Sequence, residues 1–353
     1  MTEVNFESEG RARSLRESIH YSMDTQVNSY STRPAYYFFS PEKMIKSWTR
    51  ATKVESNFID NYGIPMGMEL EVERRNYVGR EDDADNIRHI NKDAMWNYYI
   101  KRFDTYDNDV TAGVVETPVQ FFIAKEDSSL SNGVEFVSQP MTLGMWSRIP
   151  LLFEDITCDY AAYHRRTTGL HIHIPKGAFE DSHLHRWLHL MKALGSTPVN
   201  HRRLSNVLAL VGQRQFNNWA RFIMPEFRNV KSSLAQVAID RVNHDGGRYK
   251  FLNFQPSATI ELRFFKANMQ TKRILKNLEF VDATYEFTKN MDDIQNCNIV
   301  MFMQYLNRNC VDRWENLVEY LDAHNNKIDW QYNYDLDSFE LEAQENMREG
   351  ELV

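Results

Sequence analysis

The sequence predicts an α+β fold, one sheet with an apolar back and a polar front, with helices on the outside. Three observations predict it. Four segments alternate charged or polar with apolar residues at a period of two, as strands do: Gly67-Met68-Glu69-Leu70-Glu71-Val72-Glu73, Gly133-Val134-Glu135-Phe136-Val137, Gly169-Leu170-His171-Ile172-His173-Ile174 and Thr259-Ile260-Glu261-Leu262-Arg263-Phe264. Two other stretches space apolar residues by three and four, the helical repeat. The chain of 353 residues is 42% hydrophobic, ample for a real core.

Taken in order, residues 1–60 are polar, Ser- and Tyr-rich and weakly periodic, and are expected to be an extension of the main domain. That domain is predicted over residues 61–330. Its first strand puts Glu69, Glu71 and Glu73 on one face and Met68, Leu70 and Val72 on the other. The acidic excursion Gly79-Arg80-Glu81-Asp82-Asp83-Ala84-Asp85 reads as an exposed loop. Asp127 precedes Glu135 across a Ser-Asn-Gly turn, which predicts a hairpin. Residues 141–164 read as helical, and the His-x-His strand ends at Pro175-Lys176-Gly177, where Pro and Gly stop pairing.

Asp181 or Ser182 is expected to cap a helix bearing Leu184, Trp187, Leu188 and Met191, with His183, His185 and His189 on its surface. Residues 248–265 read as strand, and residues 271–290 as a helix bearing Ile274, Leu275, Leu278 and Val281. The acidic residues 331–353 carry few large apolar side chains and are expected to form a flexible tail.

Composition narrows the function classes. A formal net charge of -8 argues against nucleic acid or an anionic membrane as the default partner. Cys158, Cys297 and Cys310 form no CxxC pair, which suits a reducing compartment and offers neither a disulfide frame nor a thiolate zinc site. With no apolar run of membrane-spanning length and a polar start, a cytoplasmic location without membrane attachment is expected. Phosphate-loop, dinucleotide and Gly-x-Ser-x-Gly motifs are all missing.

Chemistry therefore falls to the strand faces. Glu69, Glu71, Asp127, Glu135 and Glu261 are hard oxygen donors suited to Mg²⁺, unless they line solvated faces. His171 either shifts the preference toward Mn²⁺ or hydrogen-bonds a phosphate, and His173 shares its face. Arg263 either grips a phosphate or carboxylate oxygen or neutralises Glu261. Arg248, near Asn253, is a second candidate clamp, with a surface cation as its alternative.

These segments, in this order, with Lys125-Glu126-Asp127-Ser128 and Gly133-Val134-Glu135-Phe136-Val137-Ser138-Gln139-Pro140 between the first and third, resemble the amidoligase family. That family belongs to the carboxylate-amine ligases related to glutamine synthetase and glutamate-cysteine ligase. The resemblance spans about residues 63–290. It implies a curved, largely antiparallel, glutamine-synthetase-like sheet with outer helices and an ATP site at one end. It also implies that ATP phosphorylates a carboxylate and that an amine then displaces phosphate to give an amide.

By that pattern Glu69, His171 and Glu261 would surround one Mg²⁺ or Mn²⁺ bridging the ATP phosphates, and Glu71, Asp127 and Glu135 a second. Arg263, assisted by Arg248, would contact the transferred phosphoryl group, with His171, His173 and Asn253 lining the nucleotide side. The substrate would be an amino acid, a peptide or another small amine-bearing metabolite. The alternatives are a metal-dependent hydrolase built on His171-x-His173 and a non-catalytic scaffold.

Overall fold

The computed structural model describes residues 63–74, 122–125, 129–130, 133–138, 140–147, 160–162, 167–214, 220–222, 249–256, 259–309 and 313–331. The expected N-terminal extension, the acidic excursion at 79–85, Asp127, Arg248 and all of the acidic tail after Gln331 lie outside these residues.

The strands are β1 (Gly67–Arg74), β2 (Phe122–Lys125), β3 (Gly133–Ser138), β4 (Tyr160–Ala161), β5 (Gly169–Pro175), β6 (Leu252–Asn253) and β7 (Thr259–Lys266). The helices are α1 (Leu143–Trp146), α2 (Asp181–Ser196), α3 (Val207–Gly212), α4 (Thr271–Lys289), α5 (Ile299–Asn309) and α6 (Glu315–Asp322). The described strands form one seven-stranded sheet in the order β2-β3-β1-β5-β7-β6, with β4 pairing to β1. Every pairing of these named strands is antiparallel, so the fold is α+β.

The period-two reading places the faces. Met68, Leu70, Val72, Phe136, Leu170, Ile172, Ile174, Ile260 and Leu262 are all buried within one core that also takes Trp187, Leu188 and Met191 from α2 and Ile274, Leu278 and Val281 from α4. Burying a large aliphatic side chain is worth roughly 1.5–3 kcal/mol. This back layer therefore packs the sheet against the helices and fixes which residues face forward.

Between the pairs Leu170↔Phe265 and Ile172↔Leu262, β5 has one residue and β7 has two. His171 thus faces the bulged pair Arg263 and Phe264. The extra residue turns Phe264 as well as Phe265 into the core, where both rings meet Phe280 of α4 edge-on at 6.1 and 6.3 Å. Arg263 stays on the front.

Four expectations need correction. Among the described residues of the span predicted as helical at 141–164, only α1 is helical, and Tyr160 and Ala161 pair with Arg74 and Glu73 instead. Pro150 lies within that span, and proline both removes a helix donor and disfavours helical geometry before it. The strand predicted at 248–265 is the hairpin β6–β7, broken where the Gln255 amide donates to Asn253 Oδ1 at 3.0 Å just before Pro256. Helix α2 has Glu180 at its N-cap with no side-chain capping bond, so neither Asp181 nor Ser182 caps it. His183 and His189 are buried rather than on the surface, because α2 packs against α3, α4 and α5 and so buries more than its apolar stripe.

Cys297 is buried, and burial pushes its thiol up to about 12. Among the described residues, no helix is long and apolar enough to cross a membrane.

Candidate metal and anion site

Antiparallel pairing brings the front residues of four strands together. Glu71 is directly opposite Glu135, Glu69 is opposite His171, Gly67 is opposite His173, and His173 is opposite Glu261. Glu71, Glu73, Glu135, Glu261 and His171 are buried, while Glu69 and His173 are partly exposed. Like charges directly across a strand pair destabilise it, and buried carboxylates resist ionisation. A face with this composition calls for cations.

The protein supplies one cation, Arg263, and several neutral donors. Arg263 donates through Nη1 to Glu261 Oε1, and Asn253 Nδ2 donates to Glu261 Oε2 at 2.7 Å, so both oxygens of that carboxylate have a donor. The Gly169 amide donates to Glu71 Oε2. Thr167 Oγ1 donates to Glu73 Oε1 at 2.6 Å.

The two histidines sit between the acids. His171 Nδ1 lies 3.3 Å from Glu69 Oε2 and 3.2 Å from Glu261 Oε1. His173 Nε2 lies 3.3 Å from Glu69 Oε1, yet this buried nitrogen has no partner in hydrogen-bond geometry. His173 Nδ1 is 3.1 Å from Thr259 Oγ1. When that ring nitrogen carries the proton and the hydroxyl accepts it, Nε2 presents its lone pair to the site.

Their titration separates. Burial and the nearby Arg263 charge lower the His171 pKa, against the opposing pull of Glu69 and Glu261. Burial also acts to lower His173, but Glu69, Glu261 and Glu135 outweigh it and the net shift is upward.

Two sets of donor atoms each lie within 4.8 Å of one another: Glu69, Glu135 and His171, and Glu69, His173 and Glu261. They share Glu69. Mixed carboxylate and imidazole donors fit Mn²⁺, or Mg²⁺ where the carboxylates dominate, and the unpartnered His173 Nε2 is a donor such an ion would satisfy.

The expected site residues fall as follows. Glu69, Glu135, His171, His173 and Glu261 belong to these sets, Arg263 and Asn253 bind Glu261, and Glu71 caps the Gly169 amide beside them. The sets divide these residues differently from the family pattern, with His173 joining Glu69 and Glu261 and Glu71 in neither.

Arg214 is a site residue that sequence reading missed. A Cβ on Gly169 would lie 3.0 Å from Arg214 Nη1, 3.0 Å from His171 Nε2 and 3.3 Å from Glu71 Oε2. The approach is set by α3. Asn206 caps its start by accepting from the Ala209 amide at 2.9 Å, and Gln213 ends it in a left-handed turn at φ 53°. A Cβ on Gly212 would collide with the Phe264 carbonyl oxygen, so only glycine lets α3 come this close to β7. Lys276 Nζ and Tyr320 Oη donate to the Val211 and Leu210 carbonyls at the end of α3. Arg214 follows directly.

Compared with models of known protein families the sequence matches none, and no curated protein matches it significantly.

Proposed function

We propose that the protein is an ATP-dependent carboxylate-amine ligase with a glutamine-synthetase-like catalytic domain. The observation that carries the reading is the pair of donor sets sharing Glu69, with Arg263 bound to Glu261 on the same sheet face. A nucleotide site without a glycine-rich phosphate loop would hold its phosphates through metal ions and arginines, and this face carries candidate metal donors and Arg263.

In this reading Glu69, Glu135, His171, His173 and Glu261 would hold Mg²⁺ or Mn²⁺, which would supply charge neutralisation for the ATP phosphates. Asn253 and Arg263 orient Glu261 by donating to its two oxygens. Arg263, through guanidinium donors not used on Glu261, stabilises charge on the phosphoryl group in transit. A substrate carboxylate oxygen attacks the terminal phosphorus and ADP leaves, giving an acyl phosphate. The amine then attacks the acyl carbon, phosphate leaves, and the amine surrenders its proton to a carboxylate of the face.

His173 favours one competing reading. It shares a donor set with Glu69 and Glu261, so a zinc-dependent hydrolase built on His171-x-His173 draws on the same atoms.

Hydroxylamine separates the two. It captures an acyl phosphate as a stable hydroxamate, so incubation with ATP, Mn²⁺ and a panel of carboxylic acids is expected to give hydroxamate and ADP in equal amounts for at least one acid. Glu261→Gln is expected to lose both products. Zinc-stimulated hydrolysis with no ATP-dependent hydroxamate for any acid would overturn the ligase in favour of the hydrolase.

A further inference from the structure

Thr259 opens β7 at the opposite end of the β5–β7 pair from Gly169, and its hydroxyl lies against the second donor set. Glu261 is directly opposite His173 and Thr259 is opposite Pro175, so Thr259 is a diagonal neighbour of His173 on the front face. On β1 the residue opposite His173 is Gly67, which has no side chain, and Glu69 is the diagonal neighbour. The His173 ring therefore lies between Thr259 and Glu69. Its Nδ1 is 3.1 Å from Thr259 Oγ1 and its Nε2 is 3.3 Å from Glu69 Oε1.

This placement matters once Nε2 binds an ion. A neutral imidazole that gives a metal its Nε2 lone pair keeps its one proton on Nδ1, and a buried N–H without an acceptor is costly. Among the described residues Thr259 Oγ1 is the only hydrogen-bond partner of His173 Nδ1, and Thr259 is buried. The hydroxyl is also held in place. Lys176, next after Pro175, donates through Nζ to the Phe254 carbonyl at 2.6 Å, and the Gln255 amide donates to Asn253 Oδ1 at 3.0 Å. These bonds tie the end of β5 to the turn between β6 and β7, beside Thr259. On the far side of the ring, Nε2 is buried and has no partner in hydrogen-bond geometry.

We infer that Thr259 is a positioning residue for the metal site. By accepting from His173 Nδ1 it directs the Nε2 lone pair into the set formed with Glu69 and Glu261, and so gives that set a preference for Mn²⁺ over the oxygen-seeking Mg²⁺. The inference deepens the proposed ligase reading and rests on it for the reaction that the ion serves. It moves His173 from the nucleotide side, where the amidoligase pattern puts it, to the metal.

Mn²⁺ binding to the full chain without nucleotide, followed by EPR and competed with Mg²⁺, tests it. Thr259→Val keeps the branched shape and removes the acceptor. It is expected to raise the Kd for Mn²⁺ about tenfold or more and that for Mg²⁺ about threefold or less. Thr259→Ser restores the hydroxyl and is expected to bind both ions as the parent does. With isotopically labelled histidine, pulsed EPR of bound Mn²⁺ reads the coordinated nitrogens directly, and one coupling of the parent is expected to vanish in His173→Gln.

Mn²⁺ affinity unchanged in Thr259→Val overturns the inference. So does an equal weakening of Mn²⁺ and Mg²⁺, which a merely structural role would produce. Should Thr259→Val not fold, Thr259→Ala takes its place. A parent that binds no Mn²⁺, or whose nitrogen couplings all survive in His173→Gln, overturns it as well. Adding ATP to the loaded chain keeps the two readings apart. Thr259-dependent Mn²⁺ binding with no binding of ATP would support the positioning role and sink the ligase, and Mn²⁺-ATP binding that ignores Thr259 would do the reverse.

Discussion

Lowering pH from about 7.5 to about 5.5 should cost the protein stability through two histidines of α2. Burial is the main cause that pushes His183 down to about 3 and His189 down to about 4. His183 is enclosed by Phe179 and Tyr285, with ring centroids at 4.8 and 4.7 Å, and its Nε2 lies 3.2 Å from the Tyr285 carbonyl and 3.1 Å from Thr288 Oγ1. No room is left for hydration of an imidazolium.

The sign follows from linkage. The folded pKa is depressed below the unfolded value of about 6.5, so below about pH 6.5 the unfolded chain binds protons that the folded chain does not. Stability from these groups is full above that pH and is lost as pH falls toward the folded pKa. At about pH 5.5 the unfolded state gains about RT ln 11, or about 1.4 kcal/mol per histidine, and about 3 kcal/mol for the two. That figure needs only that both folded pKa values lie well under 5.5.

Urea unfolding at the two pH values, on the parent and on His183→Gln and His189→Gln, measures it. Each variant is expected to be less stable at both pH values, with its pH-dependent loss about 1.4 kcal/mol smaller than the parent's. An identical pH-dependent loss in parent and variants would refute the reasoning, since the protons would then be taken up elsewhere.

Two other perturbations test the frame that carries the site. Gly133→Ala would drive a Cβ into the Val72 carbonyl oxygen and to 3.0 Å of its carbon, where β3 pairs with β1. Backbone cannot yield as a side-chain tip can, so a loss of about 2–3 kcal/mol or more is expected in urea unfolding, and a loss under about 0.5 kcal/mol would contradict the register. Asp282 is fully buried and accepts from Arg313 Nε and Nη2, both at 3.0 Å, and from Trp314 Nε1 at 2.7 Å. Asp282→Ala strands the buried indole donor and takes the bidentate partner from Arg313, leaving it Glu286 at 3.5 Å, with an expected cost of about 3 kcal/mol by thermal or urea unfolding.

Where side-chain alternation controls the structure, the sequence reads directly. In β1, β3, β5 and β7 the buried aliphatic positions and the forward-facing acids follow from period two alone, and α4 follows from its apolar spacing. Which acid meets which histidine does not follow, because it depends on strand order and register. His173 reaches Glu69 and Glu261 because β5 lies between β1 and β7 and pairs antiparallel to both.

The bulge at Arg263 and Phe264 is likewise a property of pairing, since two adjacent phenylalanines read as one inward and one outward. Arg214 carried no usable signal. It follows a short buried helix with no polar pattern, and only the Gly212 contact with β7 brings it to the sheet face. The burial of His183 and His189 was hidden for a similar reason, because their cover comes from α3, α4 and α5 rather than from α2 itself.

The most direct test of the central claim is thermal unfolding with Mn²⁺, with ATP, with both, and with Zn²⁺, on the parent and on Glu69→Gln and Glu261→Gln. A ligand at about 100 times its Kd adds about 2.7 kcal/mol to the folded state, which moves the midpoint by several degrees. The account predicts a shift that needs Mn²⁺ and ATP together and that both substitutions abolish. Absence of any nucleotide shift in the parent, or a shift with ATP that ignores both metal and Glu69 and Glu261, would contradict it.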